Sequence, residues 1–179
     1  MIDPNHTSSG ALPLLEVKGL SVHFPAGRSK LFGQTSAMLK AVDDVSFTVY
    51  QGETLGLVGE SGSGKTTVAR AVLRAMEPTA GSSSLYLDGE ATEVTALDPK
   101  NLKQVWRHMQ MIFQDPYSSL NPRMTVADII GEPLLVNGIC KGSELKERVV
   151  EIAEHCGFNI AHLNRYPHAF SGGQRQRVA

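Results

Sequence analysis

The sequence predicts an α/β fold: a core with an antiparallel β portion, followed by a helical region. Three observations carry this expectation. An apolar run at Glu53–Val58 leads through a glycine-rich turn into helical spacing at Val68, Val72, Ala75 and Met76. Upstream, Val45, Phe47 and Val49 alternate with Ser46, Thr48 and Tyr50, the period of a half-buried strand. Downstream, Leu145, Val149, Ile152 and Cys156 recur at spacings of four, three and four, which is one face of a helix.

Each element follows in chain order. Residues 1–13 are polar, with Ser8, Ser9 and Gly10, and read as a mobile tail. Val17, Leu20, Val22 and Phe24 mark an extended segment that pairs antiparallel with the strand around Val45–Tyr50, across a long exposed connection at Pro25–Met38. Glu53–Val58 is then a strand, and a helix runs from Lys65 to Met76 until Pro78 and Gly81 stop it. Leu85 and Leu87 flank Tyr86 at a strand end before an Asp88-Gly89 turn. Asp98 and Pro99 are cap and first-turn residues of a helix reaching about Met109. Gln110–Phe113 is a brief strand, and Asp115-Pro116 and Asn121-Pro122 break the chain. Thr125 caps a helix carrying Val126, Ile129 and Ile130, while Ser143 caps a longer one closed by Gly157. The expected organisation is a tail at 1–13, a core at 14–114, a helical portion at 115–170 and a further helix start at 171–179.

Composition narrows the function. With 179 residues, 41% hydrophobic and 20% charged, the chain is long enough for one buried core. A formal net charge of −1 provides no field to gather nucleic acid or anionic lipid, so an anion must be captured locally. Cys140 and Cys156 lack CxxC spacing, and the first residues have neither a basic head nor an apolar stretch, which fits a reducing cytoplasm. No apolar run approaches the ~18 residues that span a bilayer.

The chemistry concentrates in Gly59-Glu60-Ser61-Gly62-Ser63-Gly64-Lys65-Thr66, a match to GxxxxGK[ST], the P-loop, placed between an apolar run and a helix. Polyphosphate needs these residue types. Glycines let the backbone turn its N–H groups toward the anion, and the helix N-terminus adds favourable partial charge. Lys65 is suited to the β/γ-phosphates, the Thr66 hydroxyl to Mg²⁺, and Thr67 adds a donor. A second small-residue turn, Phe170-Ser171-Gly172-Gly173-Gln174-Arg175-Gln176-Arg177, precedes another helix, with Ser171 as its cap.

The pair GESGSGKTT and FSGGQRQR resembles the nucleotide-binding cassette of ABC transporters, the second string being similar to that family's signature motif. Between them, Met111-Ile112-Phe113-Gln114-Asp115-Pro116 resembles the Q-loop. The runs QDPYSSLNPRMTV and RYPHAFSGGQRQRV look like the ATP-binding subunits of oligopeptide, dipeptide and nickel importers. The resemblance runs from about Leu14 to Ala179 and implies a P-loop NTPase core with an antiparallel β subdomain and a helical subdomain. It further implies ATP held by Gly59–Thr67, Mg²⁺ near Thr66 and Gln114, and Ser171, Gly172, Gly173 and Gln174 facing ATP on a second cassette. Lys65 and Gln114 are the catalytic residues it assigns. Phe24 is the match to the family's adenine-stacking aromatic, with Phe32 as rival. Partners follow: permease subunits, a second ATPase subunit and, indirectly, a solute-binding protein, at the cytoplasmic face of the membrane.

Resembling cassettes continue past the signature into a Walker B strand, with its Asp and catalytic Glu, and then a switch His. The chain stops at Ala179, so the reading is of a fragment missing the C-terminal part of the fold, of marginal stability and poor in hydrolysis, since a lost general base costs ~10²–10⁴ in rate. A metal site from His155, Cys156, His162 and His168 is disfavoured, Cys156 being read as a packed core thiol. Nucleic-acid binding through Arg165, Arg175 and Arg177 is disfavoured for want of a wider basic surface. The remaining alternative is a soluble ABC-superfamily ATPase of translation or DNA repair. Such proteins generally carry paired cassettes or large insertions between the motifs.

Overall fold

Alternating apolar residues make Pro13–Ala26 (β1) and Ala37–Tyr50 (β2) the arms of a long antiparallel pair in the computed structural model, which describes residues 12–26, 37–113, 115 and 119–179. Ala80–Leu87 (β3) joins the other edge of β1, and Glu90–Glu93 (β4) joins β3, so the sheet order is β2-β1-β3-β4 with every pair antiparallel. The β3–β4 turn places Asp88 at φ 51° and Gly89 at φ 83°. Both central residues are left-handed, as a tight hairpin of matching twist requires.

One face of the sheet carries the helix Lys65–Val72 (α1). Val68, Ala71 and Val72 pack on Val17, Leu20, Val22 and Val42, all buried. Removing each valine side chain from water contributes roughly 1.5–3 kcal/mol, the term that holds α1 to the sheet. Beside it, Leu85 and Val94 close over Leu102 and Val105 of the helix Pro99–Val105 (α2). Asp98 caps α2 by accepting from the Lys100 and Asn101 amides, with Pro99 in its first turn.

The chain divides into two compact units, Met1–Met111 and Ile112–Ala179. In the second, Val126–Val136 (α3) packs on Ser143–His155 (α4), and the five-residue helix Gly172–Gln176 (α5) follows two short helical turns. Its core is Leu120, Val126, Val149, Ala153, Phe158, Leu163, Phe170 and Val178. Thr125 caps α3 in a reciprocal box with Asp128, as Ser-x-x-Glu-like spacing favours.

Several expectations need correction. Glu53–Val58 is not a strand; Leu55, Leu57 and Val58 are exposed, because an apolar run becomes a strand only where a neighbour completes its ladder, and no described residue pairs with it. Gln110–Phe113 likewise forms no strand, and Ile112 and Phe113 are exposed. α1 ends at Val72, four residues before Met76, where Arg74 turns left-handed at φ 52°, and α2 ends at Val105 rather than near Met109. Gly142, not Ser143, is the N-cap of α4. The buried stripe of α4 runs through Val149 and Ala153, leaving Ile152 and Cys156 exposed, so the packed thiol is Cys140. The close partner that sets this face is Gly131 of α3, where a Cβ would lie 3.3 Å from Val149 Cγ2.

Candidate nucleotide-binding site

The loop Gly59–Gly64 reaches α1 through two left-handed glycines, Gly62 at φ 84° and Gly64 at φ 92°. Ser63 N–H donates to the Glu60 carbonyl at 3.2 Å, closing a turn. Lys65 Nζ spans the loop, donating to the carbonyls of Gly59 (2.8 Å) and Glu60 (2.6 Å) and to Ser63 Oγ at 3.3 Å. One ammonium group therefore holds both limbs of the loop, and its charge sits inside the ring they form.

Gly64 is the N-cap of α1, with no side-chain cap and no acidic residue in the first turn. The first bond back to the cap runs from Val68 N–H to the Gly64 carbonyl at 2.9 Å, so the amides of Lys65, Thr66 and Thr67 have no acceptor within the helix. Such a terminus carries about half a positive charge and aims its N–H groups outward, which is the chemistry of an anion site. Thr66 is an exposed residue of this first turn.

The sheet seats this loop by a feature absent from sequence patterning. Val22 faces Val42 and His23 faces Lys40, so Ala41 is one residue extra, a β-bulge. Gly64 lies against the bulged Ala41 carbonyl so closely that a Cβ there would overlap the oxygen. No residue type announces such a bulge. Phe24, two residues past buried Val22, pairs across the strands with Leu39 and is 37% exposed. Phe32 and Gln114 lie outside the described residues.

In the second unit, Ser171 caps α5: its Oγ accepts from Gln174 N–H, and Gln174 Oε1 accepts from Ser171 N–H at 3.0 Å. Gly172 and Gly173 have nothing within 4 Å of a notional Cβ, so backbone approach there is open. Ser171 Oγ also donates to Gln174 Oε1 at 3.2 Å, so both side chains are engaged by the cap and the glycine backbone is what this turn presents openly. Among the described residues no group of three His, Cys, Asp or Glu side chains could hold a metal, and no helix is long and apolar enough to cross a membrane.

A left-handed glycine loop, an uncapped helix start and a spanning lysine make up the geometry of a P-loop. More narrowly, residues 42–179 match the ABC transporter family, and the chain belongs to it. It is 51% identical over 166 residues to the oligopeptide transport ATP-binding protein OppF of Bacillus subtilis, covering 92% of this chain and 51% of that protein. A putative peptide import ATP-binding protein of Brucella ovis is 46% identical, with 93% of this chain and 49% of the relative covered. The glutathione import ATP-binding protein GsiA of Escherichia coli O157:H7 is also 46% identical, over 93% of this chain and 26% of its own. The chain thus spans about half the length, or less, of these curated relatives. In fold it resembles the ATP-binding cassette MJ0796, solved as a dimer bound to ADP and Pi, with TM-score 0.72, 26% identity, and 92% of this chain and 66% of that one covered.

Proposed function

We propose that this chain carries the nucleotide-binding part of the ATP-binding subunit of a peptide-type importer. The observation that carries the reading is the helix start at Gly64, whose first-turn amides face outward with no side-chain cap while Lys65 spans the loop. The relatives' names, oligopeptide, peptide and glutathione import, supply the substrate class. In this reading the amides of Gly62–Thr67 take the β- and γ-phosphates, Lys65 exchanges its loop carbonyls for phosphate oxygens, and Phe24 stacks on the base.

The residues fit Mg²⁺. Thr66 offers one exposed hard oxygen, and this cation prefers one or two protein oxygens together with phosphates to a cage of side chains. Thr66, with Gln114, would hold it, and it would neutralise charge building on the terminal phosphates. Ser171, Gly172 and Gly173 would meet ATP held by a second cassette, so that nucleotide binding draws two cassettes together and moves permease subunits at the cytoplasmic membrane face. The transported solute, chosen by a separate binding protein and the permease, never meets these residues.

The test uses the complete protein that contains this chain. Affinity-tagged protein should co-purify with permease subunits and hydrolyse ATP. Ser171→Arg should keep ATP affinity and lose ATP-driven dimerisation. Recovery with ribosomes or DNA in place of permeases would overturn the importer reading.

A further inference from the structure

We propose that Ser83 and Trp106 are positioning residues for nucleotide binding, setting the axial depth of α1 and so the place of its first-turn amides. The proposal rests on the nucleotide reading of the glycine loop. The last carbonyls of a helix have no partner within it and must find one elsewhere. In α1, Ala69 accepts from Leu73 N–H, Arg70 from Met76 N–H and Ala71 from Arg74 N–H, all local to the turn that follows. The next two are served from other elements. Val72 accepts from Ser83 Oγ of β3 at 3.0 Å, and Leu73 accepts from Trp106 Nε1, the C-cap residue of α2, at 2.8 Å.

These two bonds do what the apolar face of α1 does not. Val68, Ala71 and Val72 hold the helix to the sheet, but hydrophobic contact is non-directional and tolerates sliding. Hydrogen bonds are directional and short, so two of them at one end fix position along the axis. At the opposite end the Ala41 carbonyl stands close against Gly64 and leaves the helix start little room to shift. An eight-residue helix is stiff, so an axial displacement at Val72 arrives undiminished at Thr66 and Thr67. Ser83 is fully buried with its own N–H bonded to Thr95 Oγ1 at 3.3 Å, so its hydroxyl is held on the helix end. The side-chain hydrogen bonds of both residues go to the helix end and not to the loop.

The experiment titrates Mg-ADP into the complete protein that contains this chain, wild type, Ser83→Ala and Trp106→Phe, at a low temperature where circular dichroism shows all three folded. A misplacement of about 1 Å costs on the order of 100-fold in a site of fixed geometry, so smaller shifts should weaken binding roughly 3- to 30-fold in each variant. The bound-state amide resonances of Thr66 and Thr67 should move in both. Trp106→Phe keeps an aromatic ring at a position already 40% exposed and removes the donor with part of the indole, so it serves if Ser83→Ala fails to fold. Wild-type affinity and unmoved Thr66 and Thr67 resonances, with only the melting midpoint lowered, would overturn the positioning role alone. Failure of the complete wild-type protein to bind Mg-ADP would overturn the nucleotide reading, and this inference with it.

Discussion

Gly64→Ala should damage nucleotide binding far more than Gly62→Ala, although both positions are left-handed. At Gly62 the backbone is at φ 84° with nothing within 4 Å of a notional Cβ, so alanine there meets only conformational strain of about 1–2 kcal/mol. At Gly64, φ is 92° and the added carbon would overlap the Ala41 carbonyl oxygen, with Ala41 C at 3.4 Å and Val42 Cγ2 at 3.6 Å behind it. Those atoms belong to the sheet and do not yield. Restoring ordinary contact moves the start of α1 by on the order of 1 Å. Displacement of that size corresponds to a loss near 100-fold where geometry decides affinity, against roughly a few-fold at Gly62. Titration with a fluorescent ADP analogue in Mg²⁺ measures the two affinities, and urea melts of the same samples separate stability from binding. Equal affinities for the two variants, at temperatures where both are folded, would refute the claim that the Ala41 bulge seats the loop.

Other expectations follow from single contacts. Lys65→Ala removes the ammonium that bridges the Gly59 and Glu60 carbonyls and should abolish detectable Mg-ATP binding; retention of wild-type affinity in an equilibrium titration would contradict its assignment. Thr125→Ala breaks the capping box with Asp128 and should lower stability by about 1 kcal/mol, read as a shifted urea midpoint at unchanged nucleotide affinity. Asp98 accepts from the Asn101 and Lys100 amides, which hold its carboxyl below the ordinary aspartate value. Because the folded state binds that proton less readily than the unfolded chain, its contribution is complete above about pH 3.9 and disappears as pH falls through the lower folded value. Asp98→Asn should therefore flatten the acid limb of a stability–pH curve, and an unchanged limb would dissociate the cap from acid unfolding.

What could be read in advance was local. Asp98, Thr125 and Ser171 each bond to amides two or three residues away, so their cap roles are written in short strings and hold in the folded chain. The Asp88-Gly89 turn is legible for the same reason. Elements whose state depends on distant partners were not. Glu53–Val58 has the composition of a strand, but pairing is a property of two segments, and no described neighbour supplies the second. On α4 the apolar spacing through Ile152 and Cys156 is as regular as the one through Val149 and Ala153, and the tertiary core around Val126, Phe158 and Leu163, with Gly131 close to Val149, decides which face is buried.

The site divides along the same line. Gly62, Gly64, Lys65 and Thr66 are recognisable because the chemistry of phosphate capture demands those types at fixed spacing. The Ala41 bulge is invisible, since alanine is not selected for irregular strand geometry. Ser83 sits in a run of serines that reads as a polar connection. Its two-residue offset from buried Leu85 was the available signal, as alternate strand residues share a face.

The most direct measurement is a titration of the isotopically labelled chain with Mg²⁺ and a non-hydrolysable ATP analogue, followed through backbone amide resonances. Gly62, Gly64, Lys65, Thr66 and Thr67 should shift downfield on saturation as their N–H groups take phosphate oxygens, and Phe24 ring protons should shift upfield under a stacked base. Saturable binding that leaves those five amides unmoved would contradict the account.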